Sequence, residues 1–123
     1  MDYETPDMLV RVQDHVTIVR LTARNVTSFS DVGRITAALN NIVDQGSRRL
    51  IVDFKNVQHV GSSTLGMMIA LRKKMADIGG QLIISHPENI AELLRVSHTA
   101  KLFDLAPDSK AAFKMLKPNP TGS

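Results

Sequence analysis

Two short apolar runs limit what this chain can become more than any other feature. Residues 49–54 (RLIVDF) and Gln81–Ser85 (QLIIS) are almost continuously apolar. Runs of that length and kind suit strands covered on both faces, as in a parallel sheet. Parallel neighbours need a crossover connection, and residues 62–78 supply one. There Met68, Leu71, Met75 and Ile78 fall at helical spacing, and Gly79-Gly80 ends the pattern. The expectation is a strand–helix–strand unit at the centre of the molecule.

The flanking sequence extends this unit in both directions. Residues 8–21 contain two alternating runs separated by Asp14-His15, which reads as a hairpin with a tight turn. Residues 22–28 are polar and irregular and read as a loop. A helix follows, capped by Ser28 or Ser30 and ended by Gly46, with Val32, Ile35, Leu39, Ile42 and Val43 on one face. Residues 55–61 are a connection. Ser85-His-Pro-Glu88 has capping-box spacing, so a third helix should run to about His98 on a core face of Ile90, Leu93 and Leu94. Residues 102–105 (LFDL) read as a short edge strand. Asp108 or Ser109 then caps a last helix carrying Ala112, Phe113 and Leu116, with Lys114 and Lys117 at its negative end. The order predicts an α/β domain: a mixed sheet of four to five strands with a parallel centre, packed with four helices. Residues 1–117 form one domain in this reading, and 118–123 a loose tail.

Composition removes several function classes. The 123 residues are 43% hydrophobic, enough for a single core. Cysteine is absent, which excludes disulfides and thiolate metal sites. No apolar run approaches the ~20 residues that cross a bilayer, so no direct membrane insertion is expected. The first ten residues are acidic and unlike a secretory signal, making a cytoplasmic home the default. A net charge of +3 with 4% aromatic residues is poor material for nucleic-acid binding. Arg24, Arg34, Arg48 and Arg49 are too scattered for a phosphate clamp, and no nucleotide-binding or zinc-protease motif occurs. No cofactor and no metal are expected. His15, His59, His86 and His98 lack ligand spacing and read as locally satisfied. His59 lies three residues before Ser62, but a Ser–His hydrolase built on that pair has no placed acid and no oxyanion device.

The informative stretch is residues 57–67, VQHVGSSTLGM. Three successive hydroxyls stand where a strand hands over to a helix. One reading makes Ser62 or Ser63 an N-cap. The other makes the cluster a phosphorylation switch, because free N–H groups and the helix dipole tolerate a phosphate there. The helix also carries Arg72, Lys73 and Lys74, either a solvated face or a contact for an acidic partner. Met67, Met68 and Met75 suit core filling, though Met67 lies on a different face from Met68 and adaptable methionine also suits docking. Asp53, the lone carboxylate of its strand, should sit at the strand's C-terminal end near the serine loop.

Residues 50–68 (LIVDFKNVQHVGSSTLGMM), with IGGQLII following at 78–84, resemble the signature of the STAS domain family, the bacterial anti-sigma factor antagonists. That signature reads LVLDLSxVxFxDSSGLGxL before a helix, a Gly-Gly and an apolar strand. Residues 91–97 and Leu102-Phe103 resemble the family's later helix and strand lead-in, so the likeness covers roughly 8–117. The resemblance implies a regulatory binding module, not an enzyme. It implies a GHKL-type serine-kinase anti-sigma factor as partner, phosphorylation at Ser62 with release, and a PP2C-type phosphatase that reverses it. Ser63 and Thr64 are rival acceptors. Gly61, Ser63, Thr64, Leu65, Gly66, Met67, Asp53, Arg72 and Lys73 are the expected partner-binding residues, on a monomer or weak dimer. The sequence departs from the family pattern at three places. Gly61 replaces the acid before the serine, Thr64 replaces a glycine, and Arg24-Asn25-Val26 holds no carboxylate. These departures keep a second reading open, a phosphorylation-independent adaptor in a signalling or transporter complex.

Overall fold

The computed structural model describes residues 2–116. Its chain runs β1 (Asp2–Thr5), β2 (Met8–Gln13), β3 (Val16–Leu21), β4 (Asn25–Val26), α1 (Phe29–Asp44), β5 (Arg49–Asp53), β6 (His59–Val60) and α2 (Ser62–Asp77). It continues through β7 (Gln81–Ser85), α3 (Glu88–Val96), a 3-10 turn (Ala100–Leu102), β8 (Asp104–Ala106) and α4 (Ser109–Met115). Six strands form the main sheet in the order β1-β2-β3-β5-β7-β8. The first three are antiparallel, and β3, β5, β7 and β8 are parallel.

Register explains why the two apolar runs had to be buried on both faces. Ile18, Ile51 and Ile83 stand side by side on one face, and Val19, Val52 and Ile84 on the other. The first face packs beneath α4 with Val16, Ala106, Ala112 and Leu116. The second packs against α1, α2 and α3, through Ile35, Leu39, Met68, Leu71, Met75, Ile90 and Leu94. Asp14 and His15 take φ of 52° and 65°, the pair of positive values a two-residue hairpin needs. Ser28 caps α1 by accepting a bond from the Asp31 N–H at 3.1 Å. Asp108 does the same for α4 from the Ala111 N–H at 2.7 Å.

The α/β class, the parallel centre and the four helices are as predicted, but several details differ. The sheet has six strands rather than four to five, because Asp2–Thr5 pairs along β2. That segment (DYET) buries almost nothing, so its backbone ladder leaves no apolar trace in the sequence. The loop at 22–28 and the connection at 55–61 each contain a two-residue strand, and these pair as a second small parallel sheet. Ser85 does not cap α3. It is the last residue of β7, buried and paired with Asp53 and Ala106, and the helix opens at Pro87 with no side-chain cap. The sheet ladder outcompetes the capping box for that serine. Leu93 is half-buried beside the fully buried Ile90 and Leu94. The edge strand begins two residues later than expected, at Asp104, since Ala100–Leu102 makes a 3-10 turn and Phe103 enters the core. Lys117 and the expected tail at 118–123 lie outside the described residues.

Candidate functional site

Both α1 and α2 start at the C-terminal ends of parallel strands, and the small sheet ties these starts together. Asn25 pairs with His59 and Val26 with Val60. The Arg24 carbonyl accepts from the N–H groups of Gln58 at 2.7 Å and His59 at 3.1 Å. Thr64, fully buried, donates its hydroxyl to the Val26 carbonyl at 2.6 Å. That bond crosses from the first turn of α2 to the strand leading into α1. A side chain at Gly61 would stand 3.9 Å from the Thr27 backbone, so the two helix starts are near neighbours.

Within this frame the three hydroxyls have three different fates. Gly61, extended at φ −124°, is the N-cap of α2, and no side chain caps the turn. The capping role expected of Ser62 or Ser63 is therefore not taken by either. Glycine is an adequate N-cap, but it leaves the first N–H groups without a side-chain acceptor. The Gly61 carbonyl accepts from Thr64 and Leu65 at 3.0 and 3.3 Å, which closes the turn. Ser62 is exposed, Ser63 half-buried and Thr64 buried. Among the described residues no side-chain hydrogen bond engages the Ser62 hydroxyl, whereas Thr64 is locked. Gly66, four residues on and on the same helical face as Ser62, is exposed, as is Lys73 about 16 Å along the axis.

The remaining predicted residues scatter. Leu65 is half-buried against the core, and Met67 is 6% exposed within it. Arg72 donates to the Leu102 carbonyl, and Lys74 pairs with Asp44 at 2.8 Å, bracing α2 against its neighbours. Asp53 does lie at the C-terminal end of β5, but its side chain points to the α4 face, away from α2. It accepts from Arg20 Nε at 3.1 Å, Ser109 Oγ at 2.9 Å and the Lys55 N–H at 2.8 Å. Fully buried, it clamps β3, β5 and α4 and braces the first residue of the loop toward Ser62. His59 is exposed on β6 and makes no side-chain bond to Ser62. The other histidines, His15, His86 and His98, sit at turns with φ of 65°, 50° and 60°. Among the described residues no three His, Asp or Glu side chains converge as a metal set. No described helix is long and apolar enough to cross a membrane.

An exposed serine opens α2 beside the start of α1, and a two-strand ribbon that the sequence did not announce sets the two starts together. The STAS domain family profile matches residues 7–112. The chain belongs to the STAS domain family. BtrV of Bordetella bronchiseptica, a proposed anti-sigma factor antagonist, is 22% identical over 95 residues, covering 76% of this STAS domain and 82% of the relative. An anti-sigma factor antagonist from Mycobacterium paratuberculosis superposes with a TM-score of 0.77 at 20% identity, over 94% of this chain and 100% of that one. The Bacillus cell fate determinant SpoIIAA, solved in its phosphorylated form, superposes with a TM-score of 0.68 at 17% identity, over 88% and 98% of the two chains.

Sequence reasoning found the serine turn of this STAS domain but missed the ribbon that positions it. A two-residue strand has no measurable period, so β4 and β6 left no signal. It also passed over Phe29, an aromatic ring that the fold leaves 89% exposed.

Proposed function

We propose that this STAS domain is an anti-sigma factor antagonist. It binds a serine-kinase anti-sigma factor of the GHKL type over the first turn of α2. Phosphorylation of Ser62 releases it, and a PP2C-type phosphatase restores it. The observation that carries this reading is the free, exposed Ser62 hydroxyl at a helix start, ahead of a half-buried Ser63 and a locked Thr64. Of the three candidate acceptors, Thr64 alone gives its hydroxyl to the fold, and Ser62 is the more exposed of the other two. The kinship with BtrV and the likeness to phosphorylated SpoIIAA agree with it.

The energetics favour release over unfolding. A phosphate near a helix N-terminus is favourable by ~0.3–2 kcal/mol, so the domain survives it. The same charge enclosed in a partner interface without a counter-ion costs on the order of 2–5 kcal/mol. Each ~1.4 kcal/mol is tenfold in affinity, so the complex comes apart while the fold holds. Gly61, Ser63, Leu65 and Gly66 surround the hydroxyl on the docking face, with Lys73 farther along it. Thr64 and Met67 contribute from beneath by fixing the turn, and Asp53, on the far face of the sheet, acts only by bracing the loop at Lys55.

The departures at Gly61, at Thr64 and at 24–26 favour a second reading, an adaptor that binds without phosphorylation. The experiment that separates the two is incubation with the cognate kinase and ATP, followed by mass spectrometry of residues 59–72. Phosphate on Ser62 supports the switch. No phosphate on Ser62, Ser63 or Thr64, with Ser62→Asp binding normally, leaves the adaptor.

A further inference from the structure

We propose that Phe29 is the aromatic anchor of the docking surface, and that this surface takes a protein whose apolar pocket is ringed by carboxylates. The inference rests on the reading that a partner docks over Ser62. It goes further by naming the residue that holds the partner and the chemistry of the surface opposite.

Phe29 is 89% exposed, far beyond the next large apolar side chain, Val96 at 53%. Isolated exposed leucines and valines are ordinary. A phenyl ring wholly in water beside a candidate contact surface is not, since aromatic rings in pockets supply most of the binding free energy of many interfaces. The backbone that carries it is held in place. Phe29 opens α1 directly after the Ser28 cap, and Arg34 clamps the same turn by bonding both Asp31 and Asp7. Thr27, two residues earlier, is the backbone that faces Gly61, so the helix start that carries Phe29 lies next to the Ser62 turn. A turn held in this way loses little backbone freedom on binding.

The ground beside both residues is bare. Gly33 and Gly66 are exposed and sit four residues after Phe29 and Ser62, on the same helical faces. An added Cβ at either would meet nothing within 4 Å, and neither has a positive φ. The fold would accept alanine at both, and glycine weakens a helix interior. Their use lies outside the chain, in letting a second backbone approach closely. The charge of the rim specifies that second surface. Residues 24–27 and 58–66 contain no carboxylate but present exposed Arg24 and His59, which lie side by side through the Arg24 carbonyl. Arg24 makes no ion pair among the described residues. Of the acids on the flanking helices, Asp31 of α1 is taken by Arg34 and Glu92 of α3 by Arg95, and Glu88 opens α3 on the side away from α1. An acidic ring around an apolar pocket is the complement.

The test places a photoreactive phenylalanine analogue at position 29 of the full chain in its own cells, with the analogue at Tyr3 as control. The captured protein is identified, purified and titrated. Position 29 should capture one protein that position 3 does not. Phe29→Ala should weaken its binding by about tenfold or more with unchanged thermal unfolding. Added salt should weaken the wild type more than Arg24→Ala. An anti-sigma factor as the captured protein upholds both readings. A different protein that obeys the same three results keeps the anchor and overturns the anti-sigma assignment. No specific capture at 29, or Phe29→Ala within twofold of wild type, overturns the anchor. So does Phe29-dependent partition onto anionic phospholipid vesicles, which would make the surface a membrane site.

Discussion

The starts of α1 and α2 lie side by side and use serine in opposite ways. At α1, Ser28 gives its side chain to the fold, capping Asp31 in a turn that Arg34 fastens to β1–β2 through Asp7. At α2, glycine takes the cap position, and Ser62 leaves its hydroxyl in solvent. Stability at this second start comes instead from Thr64, one hydroxyl deeper, bonded to the Val26 carbonyl. One helix start is built to stay as it is. The other separates holding the turn from presenting a hydroxyl, so a change at Ser62 need not disturb the turn.

The contrast can be broken first at the partner interface, where the largest effect lies. Ser62→Asp should cost on the order of 2–5 kcal/mol of partner affinity, read by calorimetric titration, while the unfolding midpoint stays close to wild type. Next is Thr64→Val, which leaves the buried Val26 carbonyl unpaired and should destabilise the domain by about 1–3 kcal/mol in urea unfolding. It should also lower the hydrogen-exchange protection of β4 and β6. Ser28→Ala should cost about 0.5–2 kcal/mol of stability. Ser62→Ala, where no cap exists to lose, should stay within about 0.5 kcal/mol of wild type. Gly66→Ala sharpens the contrast from the other side, raising stability by up to about 1 kcal/mol while weakening the partner complex.

The smallest effect is in pH. Ser28 first, and then Arg34, hold the Asp31 carboxyl below its ordinary value. A depressed carboxyl adds stability above its unfolded value of about 4, and that stability is lost as pH falls through the lower folded value. Asp31→Asn should therefore remove a small increment at pH 7 and a smaller one as pH falls below about 4, measured by paired thermal melts. The exposure of this group and screening by salt keep the increment small.

What was legible in the sequence follows from burial. The runs at β5 and β7 announce themselves because both faces are apolar, and α1 because Val32, Ile35, Leu39, Ile42 and Val43 share one stripe. The serine turn was legible through its hydroxyls and its position between strand and helix. Strand β1 was not, since backbone bonds alone pair it, and neither was the β4–β6 ribbon, too short for any period. The division of labour among Ser62, Ser63 and Thr64 was equally hidden. Which hydroxyl turns inward depends on a carbonyl 38 residues away, at Val26. Asp53 could be placed at its strand end, but the face it points to is set by sheet register and by the Ser109 it meets across 56 residues.

The most direct test of the account is one sample carrying phosphoserine at position 62, made by site-specific incorporation, compared with the unmodified chain. Thermal unfolding and affinity for the anti-sigma partner are measured on both. The account predicts midpoints within a few degrees of each other and an affinity lower by about thirtyfold or more, the factor that ~2 kcal/mol gives. Equal affinities, or a modified chain that no longer folds, would contradict it.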